Sequence, residues 1–110
     1  MQLYSMADFK YQSAPEHSAT VGGLRAESDF CMIEQSMMLP GAGSEFYKAQ
    51  HDHFYLVLEG EPTVYIKDEN GVSQHRLHPL DVAKFQAGDE KRIENTTNEP
   101  VKLIVLIGKR

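Results

Sequence analysis

Asn70-Gly71 closes the turn Asp68-Glu69-Asn70-Gly71 between two stretches that suit a pleated strand. Asn-Gly is the strongest short-range signal for a tight antiparallel hairpin, because both residues tolerate the positive φ its turn requires. Thr63 to Lys67 before it is rich in β-branched and aromatic residues, and Val72 to Leu77 returns after it. The same punctuation recurs along the chain. Phe30 to Leu39 reads as a strand stopped by Pro40-Gly41, Phe54 to Glu59 as a strand stopped by Gly60-Glu61-Pro62, and Val82 to Phe85 as a short strand before Gly88. Ile93 to Asn95 leads into the polar turn Thr96 to Pro100. Val101 to Ile107, apolar on both faces apart from Lys102, is expected to be a buried closing strand.

No stretch holds a helical period for the length of a real helix. Short strands with turns about every eight to twelve residues predict an antiparallel sandwich or barrel. With no repeat and no linker, the 110 residues predict one all-β domain over 1–110. Its core spans about 24–108 and follows an N-terminal arm, 1–23. In that arm Tyr4, Met6, Phe9 and Tyr11 either add an edge strand or lie across the surface. His17 reads as a solvated loop residue, and Gly22-Gly23 as a turn.

Charge and cysteine content exclude several classes. The formal net charge is -5, and Lys91-Arg92 sits among Asp89, Glu90 and Glu94, so no basic stripe forms for nucleic acid. Cys31 is the single cysteine, flanked by Phe30, Met32 and Ile33, which rules out an internal disulfide and predicts a buried, inert thiol. Asp8 and Lys10 interrupt the start where a secretory leader would need an apolar run, and Leu103 to Ile107 falls far short of the roughly 20 residues of a membrane helix. A soluble, cytoplasmic protein with no nucleic-acid or membrane partner is expected.

The chemistry concentrates in Gln50-His51-Asp52-His53-Phe54-Tyr55. His51 and His53 project to the same side of an extended strand, because side chains alternate with period two. Two imidazoles there fit a metal site, an acid–base pair, or ordinary strand residues. A metal would need about three or four protein ligands, and the further ligand would come from Glu45, Asp52, His75 or His78. His75 and His78, which straddle a turn before Pro79, read as surface residues, and Asp81 as the cap of that turn.

Two spaced motifs give the chain a resemblance to the small single-domain cupins. The family's first motif runs from a glycine through a His-x-His pair and a glutamate to a closing glycine, and the span from Gly41 to Gly60 has that length. In the second motif Gly88 and Asn95 stand at the family's separation, while Leu80 replaces its opening glycine and Gln86 its proline. The resemblance implies an antiparallel double-stranded β-helix, the jelly-roll barrel. It also implies a divalent metal held by three histidines and a glutamate. Here those positions carry Tyr47, Ala49, His53 and Lys91, or Phe46 and Lys48 at the first two with the longer spacer. The literal His51-x-His53 pair falls too late in the motif.

The expectation is therefore a barrel without the family's metal and with no other cofactor; a divalent ion in a displaced site at His51 and His53 is the alternative. Within the barrel His51, His53, Tyr55 and Lys91 are the predicted ligand-binding residues, suited to a small anionic or carbonyl-bearing molecule. Lys91 also fits a strand end facing solvent, and Tyr55 a core residue with its hydroxyl bonded. An enzyme stays open beside the binding protein, either a metal-free isomerase, epimerase or lyase or a metal-dependent oxygenase. A structural or partner-binding domain is the third reading. The resemblance also implies a homodimer.

Overall fold

The structure, a computed structural model, describes residues 1–14 and 17–109. Its strands are β1 Gln12–Ser13, β2 His17–Glu27, β3 Cys31–Ser44, β4 Tyr47–Lys48, β5 His53–Glu59, β6 Thr63–Asp68, β7 Gly71–Arg76, β8 Val82–Phe85, β9 Glu90–Glu94 and β10 Val101–Gly108. One 3-10 turn, Met6–Asp8, precedes them. All pairings are antiparallel, and the hydrogen-bonded path runs β7-β6-β9-β3-β10-β5-β8, with β2 pairing β3, β1 pairing β2 and β4 pairing β9. The sheet curls on itself as a jelly roll. The Asn-Gly hairpin forms as expected, with Asp68 opposite Gly71.

The curl depends on β3, and here the sequence reading needs correction. Pro40-Gly41 was expected to end the strand at Leu39, yet β3 continues through it to Ser44. β2 pairs with β3 on both sides of the Pro-Gly, but on the other edge the partner is β10 before it and β9 after it, where Gly43 pairs with Glu94. Gly41 takes φ +83° and donates its N–H to the Asn95 carbonyl at 2.9 Å. Pro40-Gly41 is thus a corner at which one edge of the strand passes from β10 to β9, a role glycine suits because it accepts positive φ.

Gly22-Gly23 is likewise not a turn but the interior of β2. A Cβ on Gly22 would meet the Gln35 carbonyl oxygen at 2.7 Å, so close approach of β2 to β3 explains the glycine. His17 is half-buried at the start of β2 rather than in a solvated loop, and Cys31 is half-buried rather than buried.

Period-two alternation sets the core. On β5 His53, Tyr55 and Val57 point inward, on β10 Val101, Leu103 and Val105, and on β9 Lys91 and Ile93, with Asn95 following on the same side. Met38, Ala42, Val64 and Phe85 complete the inner layer. The outer face of β10 is only half-buried and Leu106 is exposed, so this strand is not covered on both sides as its composition implied. Among the described residues no helix is long and apolar enough to cross a membrane.

Candidate functional site

Lys91 is buried by the strand that carries it. Ile93 and Asn95 face the core, so alternation turns Lys91 inward as well, opposite Tyr47 of β4 and Ile66 of β6. The residue is 1% exposed. The solvent-facing alternative for Lys91 is therefore excluded by strand geometry.

Its ammonium group donates to the Tyr47 hydroxyl at 2.8 Å and to the Tyr55 hydroxyl, and these two hydroxyls are themselves 3.2 Å apart. The ring centroids of Tyr47, Tyr55 and Phe85 lie 4.6, 4.3 and 4.5 Å from Nζ, so the cation sits among three aromatic rings. Its partners are phenols rather than carboxylates. Burial, with no such countercharge, lowers its pKa from 10.5 to about 7. The same burial pushes Tyr55 well above the ordinary tyrosine range, helped by its neighbour Tyr47 and by the charge of Glu34, so Tyr55 stays a protonated phenol.

His53 is buried beside this cluster, 8% exposed. Its ring stacks on Phe85 at 5.1 Å and meets Tyr55 at 5.5 Å. Nδ1 lies 2.9 Å from the His51 carbonyl oxygen. A carbonyl can only accept, so Nδ1 carries the hydrogen and Nε2 the lone pair. Burial is the largest influence on this imidazole and lowers its pKa. The His51 hydrogen bond opposes that shift, and the charge of Lys91 adds to it.

A cavity of about 630 Å³ opens over these groups, with Tyr47, His51, His53 and Tyr55 in its walls together with His17 and Glu34. Lys91 lies beneath the floor and reaches the cavity through the two hydroxyls. Of the four residues predicted from sequence, His53, Tyr55 and Lys91 converge within one contact network. His51 lines the same cavity but is itself exposed, and its backbone carbonyl rather than its imidazole holds His53. His75 is exposed on β7; His78 is exposed beside Glu61 and Asp81, and Asp81 caps the turn by accepting from the His78 N–H at 2.7 Å.

Sequence reasoning missed Tyr47 as a site residue, although the signal was present. Tyr47 and Lys91 occupy positions where the cupin pattern has metal ligands, and ligand positions converge on one point whatever side chains fill them. Phe85 had no such signal, because a phenylalanine on a short strand reads as core.

The residues at those positions do not fit the metal. Ala49 has no donor atom, Tyr47 spends its hydroxyl on Lys91 and Tyr55, and a lysine ammonium repels a cation. His53 alone remains. Among the described residues no group of three or more His, Cys, Asp and Glu side chains is placed to hold an ion.

No curated protein matches the chain by sequence. Solved structures resemble it throughout its length. KdgF from Halomonas sp. superposes with a TM-score of 0.84 at 17% identity, covering 99% of this chain and 95% of that one. The polyketide cyclase RemF from Streptomyces resistomycificus gives 0.86 at 14% identity, covering 100% and 80%. The cupin domain of Schizosaccharomyces pombe Cnp3 gives 0.80 at 16%, covering 97% and 73%. At such identities the likeness is one of fold. The sequence model of the cupin domain matches residues 35–107, and with the jelly-roll barrel around its altered ligand positions the chain belongs to the cupin family.

Proposed function

We propose that the barrel binds a small molecule through a carboxylate or carbonyl oxygen, held by the Tyr47 and Tyr55 hydroxyls above Lys91, with His53 against the rest of the ligand. One observation carries the reading: among the described residues the buried Lys91 ammonium beneath the cavity has phenols and no carboxylate as hydrogen-bond partners, Glu34 lining the cavity without pairing with it. A protein gains nothing in stability from such a charge unless something completes it. An incoming anion supplies the missing countercharge. Both hydroxyls accept from Lys91 and one donates to the other, so one O–H hydrogen is left for the ligand, and a phenol that accepts from a cation becomes a stronger donor. Lys91 stands at one of the motif's ligand positions, so its ammonium supplies a positive charge that suits the same kind of oxygen.

The test is a titration of the protein with small carboxylates and 2-oxo acids, followed by amide NMR. Shifts concentrated on β4, β5 and β9, lost in Lys91→Met with the fold intact, support the reading. Unchanged binding in that variant removes the function from the barrel.

The chain also pairs with a second copy of itself through the outer face of β5, β8 and β10. There Phe54, Leu58, Val82 and Leu106 are 38%, 39%, 60% and 36% exposed, with Leu56 and Ile104 half-buried between them. A sheet apolar on both faces calls for a second layer. Sedimentation is expected to give a dimer at micromolar concentration and a monomer for Phe54→Glu. A wild-type monomer would refute this.

A further inference from the structure

The cavity carries a second charge, and that charge narrows the kind of molecule it takes. We infer that the ligand bears a protonated amine as well as its carboxylate or carbonyl oxygen, an amino acid whose ammonium group pairs with Glu34. This rests on the binding reading above and names the chemical class of the molecule bound there.

Strand alternation and register place the carboxylate. On β3, Glu34 and Ser36 line the cavity and Met38 follows them into the core, so Glu34 faces inward. Glu34 stands opposite Val105 of β10, and Val105 stands opposite Tyr55 of β5. The three form one row across neighbouring strands, and all of them line the cavity. At about 4.8 Å per strand, the row sets Glu34 about 10 Å from Tyr55 at the backbone. Between the two ends Val105 and Ile107 of β10 give the cavity an apolar wall.

Glu34 is half-buried, and among the described residues its carboxylate makes no hydrogen bond or ion pair. Lys91 does not serve it, because the two phenols take that ammonium beneath the floor. Lys48 also lines the cavity but is exposed on β4. The charge of Glu34 is felt within the cavity all the same, since it helps to raise the pKa of Tyr55. A plain carboxylate seated on the hydroxyls therefore satisfies Lys91 and is repelled by Glu34. A molecule with an ammonium group at the end of a short carbon stem satisfies both, with the stem over Val105 and Ile107. The cavity, about 630 Å³, has room for an amino acid of this kind.

The test titrates the protein with pentanoate and 5-aminopentanoate, which share a stem and differ in the amine, and reads both affinities from amide NMR shifts. The wild-type protein is expected to bind the amino acid about 10-fold more tightly, the gain of one charge-assisted pair. Glu34→Gln keeps the shape and removes the charge. In that variant the amino acid is expected to bind more weakly and pentanoate more tightly than in the wild type, so the preference disappears. Glu34→Ala serves as the second variant if Glu34→Gln does not fold. Gluconate, a polyhydroxy acid without an amine, separates charge pairing from hydroxyl recognition. Wild-type protein that binds pentanoate as tightly as 5-aminopentanoate, or gluconate more tightly than either, overturns the amine and leaves the binding reading intact. So does a folded Glu34 variant that keeps the wild-type preference. Failure of the wild type to bind any of the three acids overturns both.

Discussion

Replacing Lys91 with methionine removes the buried charge and keeps the shape. In the folded protein the ammonium pKa falls to about 7, against 10.5 for the unfolded chain. The sign follows from linkage. A depressed folded-state pKa gives a contribution that is complete above 10.5, declines as pH falls between the two values, and is gone below about 7. At 1.36 kcal/mol per tenfold, the full difference is about 5 kcal/mol against the folded state at low pH.

The three aromatic rings return part of that cost through cation–π attraction, and the variant leaves the two hydroxyls with only each other as partners, so the net gain of Lys91→Met at pH 6 is about 2 kcal/mol. The pH slope is the sharper quantity. Between pH 7.5 and 9.5 the wild type gains about 2 to 3 kcal/mol relative to the variant, because every other titrating group is common to both. Urea unfolding at pH 6, 7.5 and 9.5 measures this directly. Parallel stability curves for the two proteins would show that Lys91 keeps an ordinary pKa and would refute the reasoning from burial.

Two further variants probe the frame of the site. Leu80 takes φ +72° and is 77% exposed, so its side chain contributes little packing while its backbone carries left-handed strain. Leu80→Gly is therefore expected to stabilise the fold by about 0.5–1 kcal/mol after glycine's entropy cost, read as a rise of a few degrees in Tm; a fall would show that the turn is unstrained. Asn95 is fully buried, donating to the Met38 and Glu99 carbonyls and accepting from the Thr97 N–H and hydroxyl. Asn95→Ala is expected to cost about 3 kcal/mol in urea unfolding, and a loss below 1 kcal/mol would mean that these bonds do not tie β9 to the turn before β10.

Local signals sufficed where structure is local. The Asn70-Gly71 hairpin, the strand from Phe54 and the Asp81 cap each depend on residues close in sequence, and all are readable without coordinates. Pro40-Gly41 and Gly22-Gly23 misled for one reason. Glycine and proline mark strained or crowded backbone, and a barrel places such backbone at corners and close strand approaches as readily as at turns. Motif spacing located His53 and Lys91, but not what surrounds them. Whether a lysine on β9 faces water or the core depends on where Ile93 and Asn95 point, and whether it is tolerated there depends on Tyr47, Tyr55 and Phe85 from three other strands. The role of the His51 carbonyl was equally hidden, because no side-chain pattern announces a backbone acceptor.

The central claim is that an anionic oxygen completes the Lys91 site, and calorimetric titration in two buffers of different ionisation enthalpy tests it most directly. At pH 8 the lysine, with a pKa of about 7, is mostly neutral, and an anion seated on the hydroxyls above it restores the ammonium form. Binding of a 2-oxo acid is predicted to take up close to one proton in the wild type and none in Tyr47→Phe/Lys91→Met. Equal proton uptake in both, or none in the wild type, would contradict the account.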